Sequence, residues 1–183
     1  MKRVISVGTL VLLCACSTAK YEVNSDGSKP TLYPAAEVMH WPIVNGARQS
    51  PVTNARVYIE SGAKFDSDVR LGDGVRIGAG SFIDEDVVLF PDVTIGVDSQ
   101  VGGDAIVQRN VKIGNKVMIR GDAIIGEGSV IEDGSSIGKR AKLGKNVVVR
   151  AGATIGPGSV IGDGVIIPER KLLPHSTRIE AAK

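Results

Sequence analysis

Four aspartates that recur at intervals of eighteen residues could do chemistry together. They are Asp68, Asp86, Asp104 and Asp122. Carboxylate oxygens are the ligands that Ca²⁺ and Mg²⁺ prefer, so a stack of them could hold a divalent cation. Aspartate also suits corners with a left-handed backbone, where water screens the charges from one another. We favour the corner interpretation, and the sequence predicts neither a metal ion nor another cofactor.

Histidine, the most frequent general base in enzymes, occurs only twice, as His40 and His175. Neither lies between residues 57 and 170, where the chain is most regular. We expect both side chains to be solvated or to cap the fold. They are the only two candidates for a catalytic residue.

A six-residue repeat must position these side chains, and it runs from Ile59 to Ile167. Every sixth residue there is Ile, Leu or Val, with the single exception of Phe65. The residue two places earlier is always Val, Ala or Ser, and the residue three places later is Gly, Asp or Asn in sixteen of nineteen repeats. The exceptions at that last position are Lys116, Arg140 and Arg170. The serines fall on the earlier position, so we expect them to fill the core rather than act as nucleophiles.

This spacing indicates a short strand followed by a tight corner in every hexad. Alternating residues of a strand point to the same side, and glycine, asparagine and aspartate tolerate a left-handed backbone. A helix is excluded because the pattern would place apolar groups all around it. Three hexads make one three-sided coil, and successive coils stack as parallel strands about 4.8 Å apart.

The pattern resembles the hexapeptide-repeat superfamily, as in Leu71–Arg76 (LGDGVR) and Ile155–Val160 (IGPGSV). The resemblance covers residues 57–170 and implies an all-β fold, a left-handed parallel β-helix of about six to seven triangular coils. It also implies acyltransferase activity with a histidine base, and assembly as a trimer. The repeat contains no histidine and no inserted loop, so we expect a smooth prism without a concave pocket.

The N-terminal residues 1–15 predict a bacterial lipoprotein signal peptide, with a basic start and a short apolar stretch. The ending Leu13-Cys14-Ala15-Cys16 resembles a lipobox, which makes Cys16 the expected lipidated (palmitate-carrying) residue. Ser17 after it points to the outer membrane, with the protein on the periplasmic or the cell-surface side. Removal of Lys2 and Arg3 leaves 20 basic residues against 20 acidic ones, which argues against a nucleic-acid partner.

Residues 16–56 lack the repeat and contain four prolines, which indicates a tether. Its apolar stretch 38–44 is interpreted as a possible cap on the first coil, since the end of a solenoid otherwise exposes a strand edge. The helix itself is expected over residues 57–170. Residues 171–183 are expected to form a degraded last coil and C-terminal cap.

Two ladders of apolar residues are predicted on the outside of the prism. They consist of Val88, Ile106 and Ile124 on one side and of Val130, Val148 and Ile166 on the next. Contiguous apolar patches usually mark an interface. We therefore expect self-association through these six residues, as a trimer.

On these grounds the sequence predicts an outer-membrane lipoprotein whose rigid β-helix acts as a structural scaffold or as a surface that binds an envelope protein or glycan. The expectation leans against an enzyme. The alternative is a hexapeptide-repeat acyltransferase whose site lies at subunit interfaces and uses His175 or His40.

Overall fold

Each hexad of the chain forms a two-residue strand and a corner, as the computed structural model shows for residues 31–51 and 53–181. Residues eighteen apart are hydrogen-bonded neighbours: Ile95 pairs with Ile77 in the coil below and with Ile113 in the coil above. The strands, numbered in chain order, therefore stack into three sheets, which we call face 1, face 2 and face 3.

Face 1 contains β1 (Leu32–Pro34), β6 (Arg70–Gly72), β9 (Val88–Leu89), β12 (Ile106–Val107), β15 (Ile124–Ile125), β18 (Lys142–Leu143), β21 (Val160–Ile161) and β24 (Arg178–Ile179). Face 2 contains β2 (Ile43–Val44), β3 (Ala47–Gln49), β4 (Arg56–Ile59), β7 (Arg76–Ile77), β10 (Thr94–Ile95), β13 (Lys112–Ile113), β16 (Val130–Ile131), β19 (Val148–Val149) and β22 (Ile166–Ile167). Face 3 contains β5 (Lys64–Phe65), β8 (Phe82–Ile83), β11 (Gln100–Val101), β14 (Met118–Ile119), β17 (Ser136–Ile137), β20 (Thr154–Ile155) and β23 (Leu172–Leu173). The chain turns from face 3 to face 1 at the 3–1 corner, and from face 1 to face 2 at the 1–2 corner.

The corners have a left-handed backbone at the position three residues after the aliphatic one, except at Asp68 in the first coil. The φ at this position is +54° for Asp86 and +68° for Gly164. Lys116, Arg140 and Arg170 adopt the same conformation, with φ of +53°, +59° and +52°. The stacked coils thus impose the corner even where the residue type does not favour it.

The interior is filled by the aliphatic residues and by the small residues two places before them. The buried serines also connect coils. Ser99 donates a hydrogen bond from its Oγ to the carbonyl of Gly114 (2.8 Å) and accepts one from the amide of Val117 (3.1 Å). Ser129 repeats this arrangement with Gly144 and Val147. These hydroxyls satisfy backbone groups inside a narrow core.

The N-terminal end of the prism is covered by the segment 32–49. β1 runs antiparallel to β6, and the short helix α1 (Ala35–Val38) follows it. The hairpin β2–β3 turns at Asn45 and Gly46 and adds antiparallel strands beside β4. Trp41 is 5% exposed and packs edge-on against Tyr33, with ring centroids 4.8 Å apart. Within the described residues, no helix is long and apolar enough to cross a membrane.

Candidate functional site

A groove of about 660 Å³ runs along face 3 near the C-terminal end of the prism. Ser136 and Thr154 contribute small side chains to its lining, and Leu172 and His175 line it in the last coil. The expectation of a smooth prism without a concave pocket is therefore wrong. The physical reason is the size of the outward side chains along this face. Ser136 and Thr154 are small and lie between the larger Met118 and Leu172, which leaves a depression.

His175 lies at the 3–1 corner of the last coil, directly after Pro174. The carbonyl of Pro174 accepts hydrogen bonds from Thr177 Oγ1 (2.7 Å) and Ser159 Oγ (3.2 Å). These two bonds fix the backbone that carries the histidine. The imidazole itself is exposed, so it can reach a ligand in the groove.

His40, the other candidate, lies at the opposite end of the prism. Its Nδ1 is 2.7 Å from the carbonyl of Ala36, within the N-terminal cap. The structure does not bring the two histidines together, and His175 is the one that lines the groove on face 3.

The groove lies in the positive half of the molecule. Residues 31–104 contain eleven acidic and five basic residues, whereas residues 105–181 contain seven acidic and twelve basic ones. Arg120 and Lys139 line the groove itself. Lys139 Nζ lies 3.4 Å from Asp122, whereas Arg120 has no ion-pair partner in the part of the chain that the structure describes. Its guanidinium is therefore available to an anion.

Arg120, Lys139, Ser136 and Thr154 were not among the predicted site residues. A signal for the two small residues exists in the sequence. They are the outward residues of consecutive coils on one face, and they follow Met118 at the eighteen-residue spacing. Arg120 and Lys139 follow no comparable pattern in the sequence. The stacking of the coils brings them to the same corner.

The candidate cation ligands lie along the 3–1 corner. Asp86, Asp104 and Asp122 have a left-handed φ (+54°, +59° and +58°), as the corner interpretation predicts, whereas Asp68 does not. Asp122 is engaged by Lys139 and Arg140, at 3.4 and 3.9 Å. Across residues 31–51 and 53–181, no three His, Cys, Asp or Glu side chains converge where they could hold a metal ion.

The predicted apolar ladders exist as stacked neighbours. Val88, Ile106 and Ile124 are consecutive on face 1, and Val130, Val148 and Ile166 are consecutive on face 2. Ile166 is 58% exposed and Val88 only 8%, while the other four are half-buried. Cys16 lies outside the described residues, and its lipidation stays a prediction.

Two family models match the sequence. The one described as the GMPPB C-terminal domain matches residues 48–137, and the one described as bacterial transferase hexapeptide (six repeats) matches residues 134–169. No curated protein matches the chain.

Solved structures with the same fold are acyl-group transferases. A perosamine N-acetyltransferase of Caulobacter crescentus, a histidine variant in complex with CoA and GDP-perosamine, is 27% identical, with a TM-score of 0.50 over 68% of this chain and 52% of that one. The UDP-N-acetylglucosamine O-acyltransferase of Moraxella catarrhalis is 21% identical, with a TM-score of 0.54 over 68% and 60% of the chains. That of Bacteroides fragilis is 18% identical, with a TM-score of 0.50 over 69% and 58%. The chain thus spans about half the length of the first of these relatives.

The repeat, the stacked coils and these matches define a left-handed parallel β-helix. Its repeat matches the bacterial transferase hexapeptide model at residues 134–169, and its fold is that of hexapeptide-repeat transferases. The prediction that the β-helix acts as a structural or binding scaffold is contradicted, because the similar structures are acetyl- and acyltransferases. They support the alternative that the sequence left open. The outer-membrane location stays a prediction.

Proposed function

We propose that this chain is an acyltransferase of the hexapeptide-repeat kind, which moves an acyl group from acyl-CoA to the amine of a nucleotide-linked sugar. The observation that carries the proposal is the groove with His175, set in the positive half of the prism. The 27% identical relative supports the substrate classes, since it was crystallised with CoA and GDP-perosamine.

The proposed reaction needs one base. The acceptor amine attacks the carbonyl carbon of the thioester, the carbon–sulfur bond breaks, and CoA leaves as its thiol. His175 takes the proton that the amine loses and delivers it to the departing sulfur. The thioester supplies the driving force, so the protein has to orient the two substrates and transfer one proton.

Donor recognition is assigned to the lining of the groove. Arg120 and Lys139 offer positive charge to the phosphates of CoA. Leu172 and Pro157 offer apolar surface to its uncharged arm. The excess of basic over acidic residues in this half of the chain attracts such a polyanion from a distance.

The test measures release of the CoA thiol from acetyl-CoA with GDP-perosamine as the acceptor. His175→Asn should lower kcat by about 100-fold or more, the usual contribution of a general base, while the KM for acetyl-CoA changes little. His40→Asn is the matched control and should leave the rate unchanged. Equal activity of His175→Asn and the unaltered protein would contradict the assignment of the base.

We propose further that the chain assembles as a trimer through the two apolar ladders. In support, the five half-buried or exposed members of the ladders present adjacent apolar surface on faces 1 and 2. Light scattering should give three times the chain mass or a multiple of it, and Ile106→Asp together with Ile124→Asp should abolish the trimer. A monomer at high protein concentration would exclude this assembly.

A further inference from the structure

The 3–1 corner is acidic in its first three coils. The acidic residues there are Asp66, Asp68, Asp84, Glu85, Asp86 and Asp104. None of the six has a cationic partner within 4.0 Å among the residues that the structure describes. This stretch therefore carries an uncompensated negative charge along one edge of the prism.

The following coils of the same corner are basic. They contribute Arg120, Lys139 and Arg140, with Asp122 as the one acidic residue among them. Asp122 lies 3.4 Å from Lys139 and 3.9 Å from Arg140, so one carboxylate faces two cations. Side chains of Lys139 and Arg140 are 60% and 74% exposed, which leaves both accessible to a second acidic group.

A notch of about 390 Å³ separates the two parts of the corner. Gly102, Gly103 and Gly121 line it and carry no side chain. Gly103 and Gly121 do not have a left-handed φ, so the turn does not require glycine there. A Cβ on Gly103 would lie 3.3 Å from both the Cγ and the carbonyl oxygen of Glu85, and one on Gly121 would lie 3.0 Å from the carbonyl oxygen of Gly103. The close stacking of the coils therefore favours glycine at these positions, and as a consequence no side chain covers the backbone of the notch.

We propose that this corner binds the same corner of a second copy of the chain, in antiparallel orientation. The two-fold axis would pass midway between Gly103 and Gly121. Glu85 lies one and a half coils, about 7 Å, before this point along the prism, and Lys139 lies the same distance after it. The rotation places Glu85 opposite Lys139 of the second copy and Asp86 opposite Arg140 of the second copy.

The symmetry doubles these contacts to four ion pairs. Nearer the axis Asp104 faces Asp122 of the second copy, a like-charge contact that is reduced because Asp122 already lies 3.4 Å from Lys139 and 3.9 Å from Arg140 of its own chain. A parallel neighbour would instead set acidic coils against acidic coils, which costs free energy. The orientation is therefore decided by the distribution of charge along the corner. The contact leaves the 1–2 corner free, so it is compatible with a trimer formed through the ladders. It does not rest on the proposed activity, but Lys139 lines both the notch and the donor groove, so the contact and CoA compete for this side chain.

Sedimentation velocity of the full chain tests this contact through a charge exchange. Asp86→Arg and Arg140→Asp each turn two of the four ion pairs into like-charge contacts, so each should weaken the two-fold association by about tenfold or more at about 50 mM salt. The double variant Asp86→Arg with Arg140→Asp restores opposite charges and should associate like the unaltered chain. A mixture of the two single variants should also associate.

Asp92→Arg is the matched control. Asp92 lies in the next hexad after Asp86 and has the same left-handed backbone (φ +61° against +54°), but it is at the 1–2 corner. It changes the net charge equally and should leave the association unchanged. Circular dichroism establishes that every variant is folded. The proposal is overturned if the unaltered chain shows no two-fold association at low salt, if neither single variant weakens it, or if the double variant fails to restore it.

Discussion

At the scale of single residues, the corners show how neighbouring coils override residue preference. Lys116, Arg140 and Arg170 have a positive φ, although a left-handed backbone costs roughly 1–2 kcal/mol for a residue with a Cβ. The amides at all three positions donate hydrogen bonds to carbonyls of the coil below. The acceptors are Val97 for Lys116 (2.9 Å), Gly121 for Arg140 (3.1 Å) and Ala151 for Arg170 (3.0 Å). The sequence predicts the regular corners, and the inter-coil bonds explain the irregular ones.

Ser99 tests whether a buried hydroxyl stabilises the coils. Its hydroxyl is fully buried and satisfies both the carbonyl of Gly114 and the amide of Val117. Ser99→Ala leaves these groups without that partner, so we expect the free energy of unfolding to fall by about 1–3 kcal/mol. Chemical denaturation measures the change, with the exposed Ser61→Ala as the control. A loss in Ser99→Ala no larger than that in Ser61→Ala would show that the hydroxyl only fills space.

At the scale of elements, the two ends of the solenoid are covered to different extents. The cap buries Ala35, Val38 and Trp41 against the first coils. In the last coil, Leu172 is 68% exposed and Ile179 is only half-buried. The groove lies beside this less covered end, where Leu172 and His175 line it.

Trp41→Ala tests the role of the cap. Removal of a buried tryptophan costs about 3–5 kcal/mol when the site cannot collapse, and it would also expose the first coil. We expect a lower Tm and faster amide exchange in β4 and β7. Ile43→Ala serves as the control, because Ile43 lies in the same cap but is 67% exposed. If both variants melt alike, the cap does not stabilise the first coil.

At the scale of the whole molecule, each coil contacts mainly the coils above and below it. Stability in such a solenoid is close to a sum of coil and interface contributions, so an end with one neighbour opens more easily than the middle. We expect amides of β23 and β24 to exchange with solvent faster than those of β12 to β18. Hydrogen exchange with mass spectrometry measures this gradient, and uniform protection along the chain would contradict it.

The charges also have a whole-molecule order. Acidic residues predominate before residue 105 and basic ones after it. The charge of either half, taken alone, is ordinary for a solvent-exposed surface. Their separation along the axis of the prism supports the donor groove in the basic half and the antiparallel contact along the 3–1 corner.

The sequence by itself determined the three-sided coil, its interior and the stacks of outward residues, because a strict period of six leaves one way to bury the aliphatic residues. It also supplied His175 as a candidate, on residue type alone. The tertiary structure decided that His175, Ser136 and Thr154 share a groove with Arg120, which a period of eighteen does not disclose. A groove depends on the relative sizes of side chains in neighbouring coils and across a corner, whereas periodicity records only which way each side chain points.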